Sequence, residues 1–142
     1  MLINNAGITG IMNKEMTSEG LEKMMATNYF GPYLLTHKLL DHLTTSAPSR
    51  IIFVSSIAYR LTSGLDLENM NAEKSYNYAK IYYDSKLALL FLMKELVKRL
   101  ERSEITVNCL HPGSVDTNLF NNFDFYLRLL LKTIFIPFLW RM

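Results

Sequence analysis

Ile51-Ile52-Phe53-Val54-Ser55-Ser56 is a short unbroken apolar run that stops on two serines. Four consecutive apolar residues, rich in β-branched side chains, suit a strand covered on both faces, as in a parallel sheet between helices. The Thr-, Ser- and Pro-rich residues 44–49 form a loop before it. Two further strands are expected, a clipped one at Leu2-Ile3 and another over Ile105-Thr106-Val107-Asn108-Cys109-Leu110. Between them lie helical patterns too long for hairpins. The order strand, helix, strand, helix, strand implies parallel strands with right-handed crossovers, an α/β layer fold.

The first helix is expected to start at a cap on Thr17 or Ser18, with Glu19 and Glu22 in its first turn, and to run to Leu40 and Leu43. Pro32 interrupts it. A proline offers no N–H to the carbonyl four residues earlier, that of Asn28. The interruption reads in two ways: a simple kink with Asn28 solvated, or a free carbonyl beside an amide side chain that holds an internal water.

The second helix, headed by Tyr82-Tyr83-Asp84-Ser85-Lys86 and running to about Arg102, presents Ala79, Tyr82, Tyr83, Lys86, Leu89, Leu90, Met93, Leu96, Val97 and Leu100 on one face. A lysine in that stripe is out of place unless paired. Tyr82 lies one turn back. A cation beside a phenol favours the phenolate and lowers a pKa of about 10. Tyr-x-x-x-Lys also occurs as Tyr76 and Lys80, so the spacing alone does not choose. Lys80, with Asp84, Lys94 and Lys98, belongs to the outer face, which favours Tyr82 and Lys86. Residues 59–77 read as a long polar connection.

At 142 residues the chain is one domain at most. A net charge of +2 without a basic stripe gives no case for nucleic acid. Cys109 is the only cysteine, which rules out an internal disulfide, and His37, His42 and His111 have no metal-ligand spacing, so no metal is expected. The opening Met1-Leu2-Ile3-Asn4-Asn5 carries no basic leader. The expected location is intracellular, cytoplasmic or peripheral on a membrane. The apolar residues 123–140, broken by Asp124, Arg128 and Lys132, suit a helix over a cleft or an interfacial membrane helix, not a spanning segment.

In such sheets ligands sit beyond the carboxyl ends of the strands. Asn5, Ser56 and Pro112 all fall there.

Together the motifs resemble the short-chain dehydrogenase/reductase family, and within it the retinol dehydrogenase-like members. The resemblance rests on Asn4-Asn5-Ala6-Gly7, Asn28 with Gly31, Leu34-Leu35-Thr36, Val54-Ser55-Ser56, Tyr82-x-x-Ser85-Lys86-Leu87-Ala88 and His111-Pro112-Gly113-x-Val115-x-Thr117. It implies a partial doubly wound, Rossmann-like parallel sheet of about three strands. It implies hydride exchange between a nicotinamide and an alcohol or carbonyl carbon, on a lipid-like substrate such as a retinoid. The implied catalytic residues are Asn28, Ser56, Tyr82 and Lys86: Tyr82 as acid/base, Ser56 on the substrate oxygen, Lys86 on the ribose and the phenol, Asn28 behind a relay water. The implied cofactor contacts are Asn5, Ala6, Gly7, Tyr82, Lys86, Pro112, Gly113, Val115 and Thr117, with NADP(H) ahead of NAD(H). Ser85 before Lys86 selects the second Tyr-Lys pair. Homo-oligomers and membrane-surface association through 123–140 are further expectations.

The family's Gly-rich turn and following helix have no counterpart, since Gly7 and Gly10 lack a third glycine and a following βαβ unit of cofactor size. Residues 1–142 therefore read as a single partial domain, a catalytic half expected to be inactive alone, with 123–142 a truncated cover or interfacial segment. The competing readings are an inactive truncated product and a non-catalytic interaction module.

Overall fold

The structure, a computed structural model, describes residues 1–113. Val115, Thr117 and the segment 123–142 lie outside the described residues.

Three strands, β1 (Leu2–Asn4), β2 (Ser49–Val54) and β3 (Ile105–Leu110), form one parallel sheet in the order β1-β2-β3. Leu2 pairs with Ile51, and Ile51 with Val107, so paired residues share a face. The helical residues are α1 (Lys23–Met25), a π-turn over Ala26–Phe30, α2 (Gly31–Thr45) and α3 (Tyr78–Arg99). Leu43 of α2 and Leu89, Leu92 and Leu96 of α3 join Ile51, Phe53, Ile105 and Val107 in one core. Each fully buried leucine contributes roughly 1.5–3 kcal/mol.

Both helices therefore pack on the same face, the geometry two right-handed crossovers give when strands are added in one direction. The expectation that β2 is covered on both faces is corrected. Its odd-numbered residues are buried, whereas Arg50 is exposed and Ile52 and Val54 only partly covered. Beside them Ile3 is 50% and Leu110 41% exposed.

The first helix also begins later than expected. Thr17 closes a tight turn, accepting from Gly20 N–H and pairing with Leu21, between Met16 and Glu22 that bridge antiparallel. The cap is Glu22, whose carboxylate accepts from Met24 N–H (3.0 Å) and Met25 N–H (2.7 Å). Pro32 does not break the helix but sits just after the π-turn, where Gly31 N–H reaches back five residues to the Ala26 carbonyl. A wider turn keeps the ring off the carbonyl with which it would clash in a straight α-helix.

Asn77 caps α3, accepting from Ala79 and Lys80 N–H, both at 3.1 Å. Lys98 and Arg99 close it at the negative end of its dipole. Its buried face holds Tyr82, Lys86, Leu89 and Leu96 as expected, but two assignments are corrected. Val97 is 46% exposed, and Asp84, placed on the outer face by spacing, is 7% exposed beneath the chain that follows β2. That polar connection contains 3-10 turns at Ile57–Leu61 and Leu67–Asn69.

Candidate active site

β1, β2 and β3 end at Asn4, Val54 and Leu110, so Asn5, Ser55-Ser56 and His111-Pro112-Gly113 leave the sheet along one rim. Asn5, Ala6, Pro112 and Gly113 are exposed there. Gly113 has φ +80°, a left-handed turn that a side chain would strain.

Asn28 comes to this rim from the π-turn and is fully buried. Its Oδ1 accepts from Ile8 N–H (2.8 Å), and its Nδ2 donates to the Ile8 carbonyl (3.0 Å) and to Ser85 Oγ (3.0 Å). With both amide hydrogens used, the side chain fixes the loop after β1, and any water-holding role falls to its main-chain carbonyl. Ser85 in turn donates to the Tyr82 carbonyl at 2.7 Å. Thr36, also fully buried, accepts from Asn4 Nδ2 (3.0 Å) and ties α2 to the end of β1.

Lys86 is 4% exposed, and its ammonium donates to the Val54 carbonyl at 3.1 Å. A Cβ built on Gly7 would lie 3.1 Å from Lys86 Nζ and 3.5 Å from Asn28 Oδ1. Only a bare main chain fits there without displacing the lysine head.

The expected electrostatics are corrected. Lys86 Nζ lies 5.8 Å from the Tyr82 ring centroid, over the ring, and burial pulls its pKa down to about 8, against a smaller upward pull from Cys109. The Tyr82 phenol is not lowered but raised, by burial first; the hydrogen bond with Ser56 opposes that rise and Tyr83 adds to it. Ser56 thus lies near enough to the Tyr82 hydroxyl to act on it, and it is the neighbour that favours the phenolate.

The other Tyr-Lys pair is committed to structure. The Tyr76 hydroxyl donates to the Ile11 carbonyl, and its pKa is pushed up to about 12, chiefly by burial. Lys80 pairs with Asp84. Three contacts near the site had no signal in the spacing: Ser55 Oγ donating to the Lys86 carbonyl (2.8 Å), Thr62 Oγ1 donating to Asp84 Oδ1 (2.5 Å), and the Glu22 cap.

The arrangement suits a nicotinamide cofactor at the rim: exposed residues Asn5 and Ala6, a bare Gly7 against Lys86, and a phenol with a serine near it. A family model for the short chain dehydrogenases matches residues 1–124. The chain belongs to the short-chain dehydrogenase family. Human retinol dehydrogenase 14 is 43% identical over 135 residues, 95% of this chain and 39% of the relative. This family member thus spans about two-fifths of the length of that curated relative. A structure of an uncharacterised protein from Mycobacterium paratuberculosis is 36% identical with a TM-score of 0.69, over 85% of this chain and 44% of the other. The landomycin C-6 ketoreductase LanV, solved with bound NADP and rabelomycin, is 30% identical with a TM-score of 0.57, over 81% and 41%. Among the described residues, no helix of this family member is long and apolar enough to cross a membrane.

Proposed function

We propose that these residues form the catalytic half of an NAD(P)-dependent alcohol dehydrogenase or carbonyl reductase acting on a lipid-like alcohol or aldehyde such as a retinoid. The observation that carries the reading is the gathering of Asn28, Ser56, Tyr82 and Lys86 near one rim: Asn28 is tied through Ser85 to the Tyr82 turn, Lys86 Nζ stands 5.8 Å from the Tyr82 ring, and Ser56 binds the N–H of Ala58, which packs on the Tyr82 cluster. The retinol dehydrogenase name of the human relative supports the substrate class, and the NADP in LanV supports NADP(H) ahead of NAD(H). When bound, the nicotinamide would supply or accept the hydride.

The remaining chemistry belongs to this chain. Tyr82 exchanges a proton between its hydroxyl and the substrate oxygen; with its pKa raised by burial it stands protonated at neutral pH, ready to donate in the direction of carbonyl reduction. Ser56 holds the same oxygen by a hydrogen bond that strengthens as negative charge develops there. Lys86, its ammonium against Gly7, is the residue that would hold the cofactor's ribose by hydrogen bonds. Asn28 holds the Ile8 loop and, through Ser85, the Tyr82 turn. Asn5, Ala6, Gly7, Pro112, Gly113, Val115 and Thr117 are the proposed cofactor contacts. In this reading 1–142 is one partial domain, inactive alone.

In the longest natural chain that contains these residues, Tyr82→Phe is expected to lower NADPH-dependent reduction of retinaldehyde about 100- to 10,000-fold. Cofactor affinity should stay nearly unchanged, because the ring remains. Turnover equal to the parent would remove the assignment.

A further inference from the structure

Ser56 is held at two points, and both lie on the same turn of α3. Just before it, Ser55 Oγ donates to the Lys86 carbonyl. Six residues after it, at the end of the Ile57–Leu61 turn, Thr62 Oγ1 reaches Asp84 Oδ1 at 2.5 Å. Thr62 has one hydroxyl proton. It also lies 3.0 Å from the Gly64 carbonyl, but the charged and closer carboxylate takes the proton, while Gly64 N–H donates back to Thr62 Oγ1 at 3.3 Å. Asp84 is buried, with Lys80 on its other oxygen. An acid on a helix surface would ordinarily stay hydrated, so its burial here needs the partners it has. Between the two ties, Ser56 Oγ accepts from Ala58 N–H at 3.2 Å, and Ala58 packs into the cluster that contains Tyr82.

We infer that Asp84 is a positioning residue which, through Thr62, holds the Ser56 arm against the Tyr82 hydroxyl. Asp84 touches neither substrate nor cofactor. It is adjacent in sequence to Ser85, which fixes the Tyr82 carbonyl, so one turn of α3 sets both sides of the Ser56–Tyr82 contact. The Ser55 tie remains when the Thr62 tie is cut, so the arm then swings about its strand end instead of leaving the sheet. The inference rests on the reading of Ser56 and Tyr82 as the proton-handling pair.

The test reads Tyr82 ionisation, not turnover, by 13C-tyrosine NMR titration of the full chain. Tyr83 and Lys86, the other titratable groups facing Tyr82, stay in place throughout. Thr62→Val is expected to raise the Tyr82 pKa as Ser56→Ala does, and the double variant to raise it no further. Thr62→Ser and Asp84→Asn, which keep the donor and an acceptor respectively, should restore the parent value. Hydrogen exchange supplies the second measurement: in Thr62→Val the Ala58 amide should exchange faster while the Leu89 and Leu92 amides of α3 do not. An unchanged Tyr82 pKa, additive shifts, or exchange that rises equally at Ala58 and across α3 would each overturn the inference. A latch that fails while Tyr82→Phe still abolishes turnover leaves the proposed function standing. The converse pair of results separates them the other way.

Discussion

Tyr82 and Lys86 are perturbed in opposite directions by the same cause. Burial disfavours the charged form of each, so the phenol rises and the ammonium falls to about 8. For Lys86 the unfolded chain binds more protons between about pH 8 and the ordinary 10.5, so stability should increase as pH climbs through that window. Below about 8 the cost of the buried ammonium is fully present, on the order of 3 kcal/mol at most. Above about 9 the raised Cys109 thiol opposes the rise, and above about 10 the raised phenols of Tyr29, Tyr76 and Tyr82 reverse it, because the folded chain then holds protons that the unfolded chain has lost. Urea midpoints measured against pH should therefore rise from about pH 8, less steeply above about 9, and fall beyond about 10. Lys86→Met should flatten the rise and leave the fall; a rise that survives the substitution would place its origin elsewhere. The identities of Tyr82 and Lys86 were legible in the sequence because helical spacing sets them on one buried stripe. The direction of the Tyr82 shift was not. It depends on where the lysine head goes, and that head is drawn to Val54 by a strand 32 residues away.

At the scale of elements, the strands were readable as apolar runs, and β3 falls where its residues place it. The beginning of the first helix was misplaced because Thr17 and Ser18 are good caps by type, yet their backbone is spent on a turn closed by the Met16–Glu22 bridge. Glutamate is an uncommon cap, and nothing local announces that Glu22 will be enclosed. Asn71 helps to enclose it, with Oδ1 accepting from Glu22 N–H at 2.7 Å from 49 residues away. Asp84 was misassigned for a similar reason: helical period gives its direction, but a later loop decides what covers it. Because Glu22 is fully buried and satisfies two main-chain donors, Glu22→Ala should destabilise the fold by about 2 kcal/mol. Glu22→Gln, which keeps an acceptor, should cost about half as much. Denaturant unfolding with an unchanged m-value is the measurement, and a neutral Glu22→Ala would show that water replaces the carboxylate without penalty.

For the whole molecule, the relation of sheet to helices bears on what the 142 residues do unaided. A pyrophosphate is commonly bound by free N–H groups at a helix start. Among the described residues the start of α1 is already filled by the Glu22 carboxylate, and that of α3 by Asn77. Calorimetry of the chain with NADPH should therefore give a dissociation constant weaker than about 1 mM, or about 4 kcal/mol. Micromolar binding would show that the rim alone suffices. The one-sided packing also imposes a rule of counting. In β2 the odd-numbered residues face the helices and the even-numbered ones face away, and the alternation carries on into the paired serines. Ser55 thereby clasps Lys86 while Ser56 is left for the tyrosine. Adjacent and chemically identical, the two are not spares for one another. Inserting or deleting a single residue between Arg50 and Ser55 would either exchange their duties or turn Arg50 toward the core, depending on which end of the strand keeps its register. The strand can change length only in steps of two, a constraint of arithmetic that falls on the spacing between residues whatever side chains occupy it.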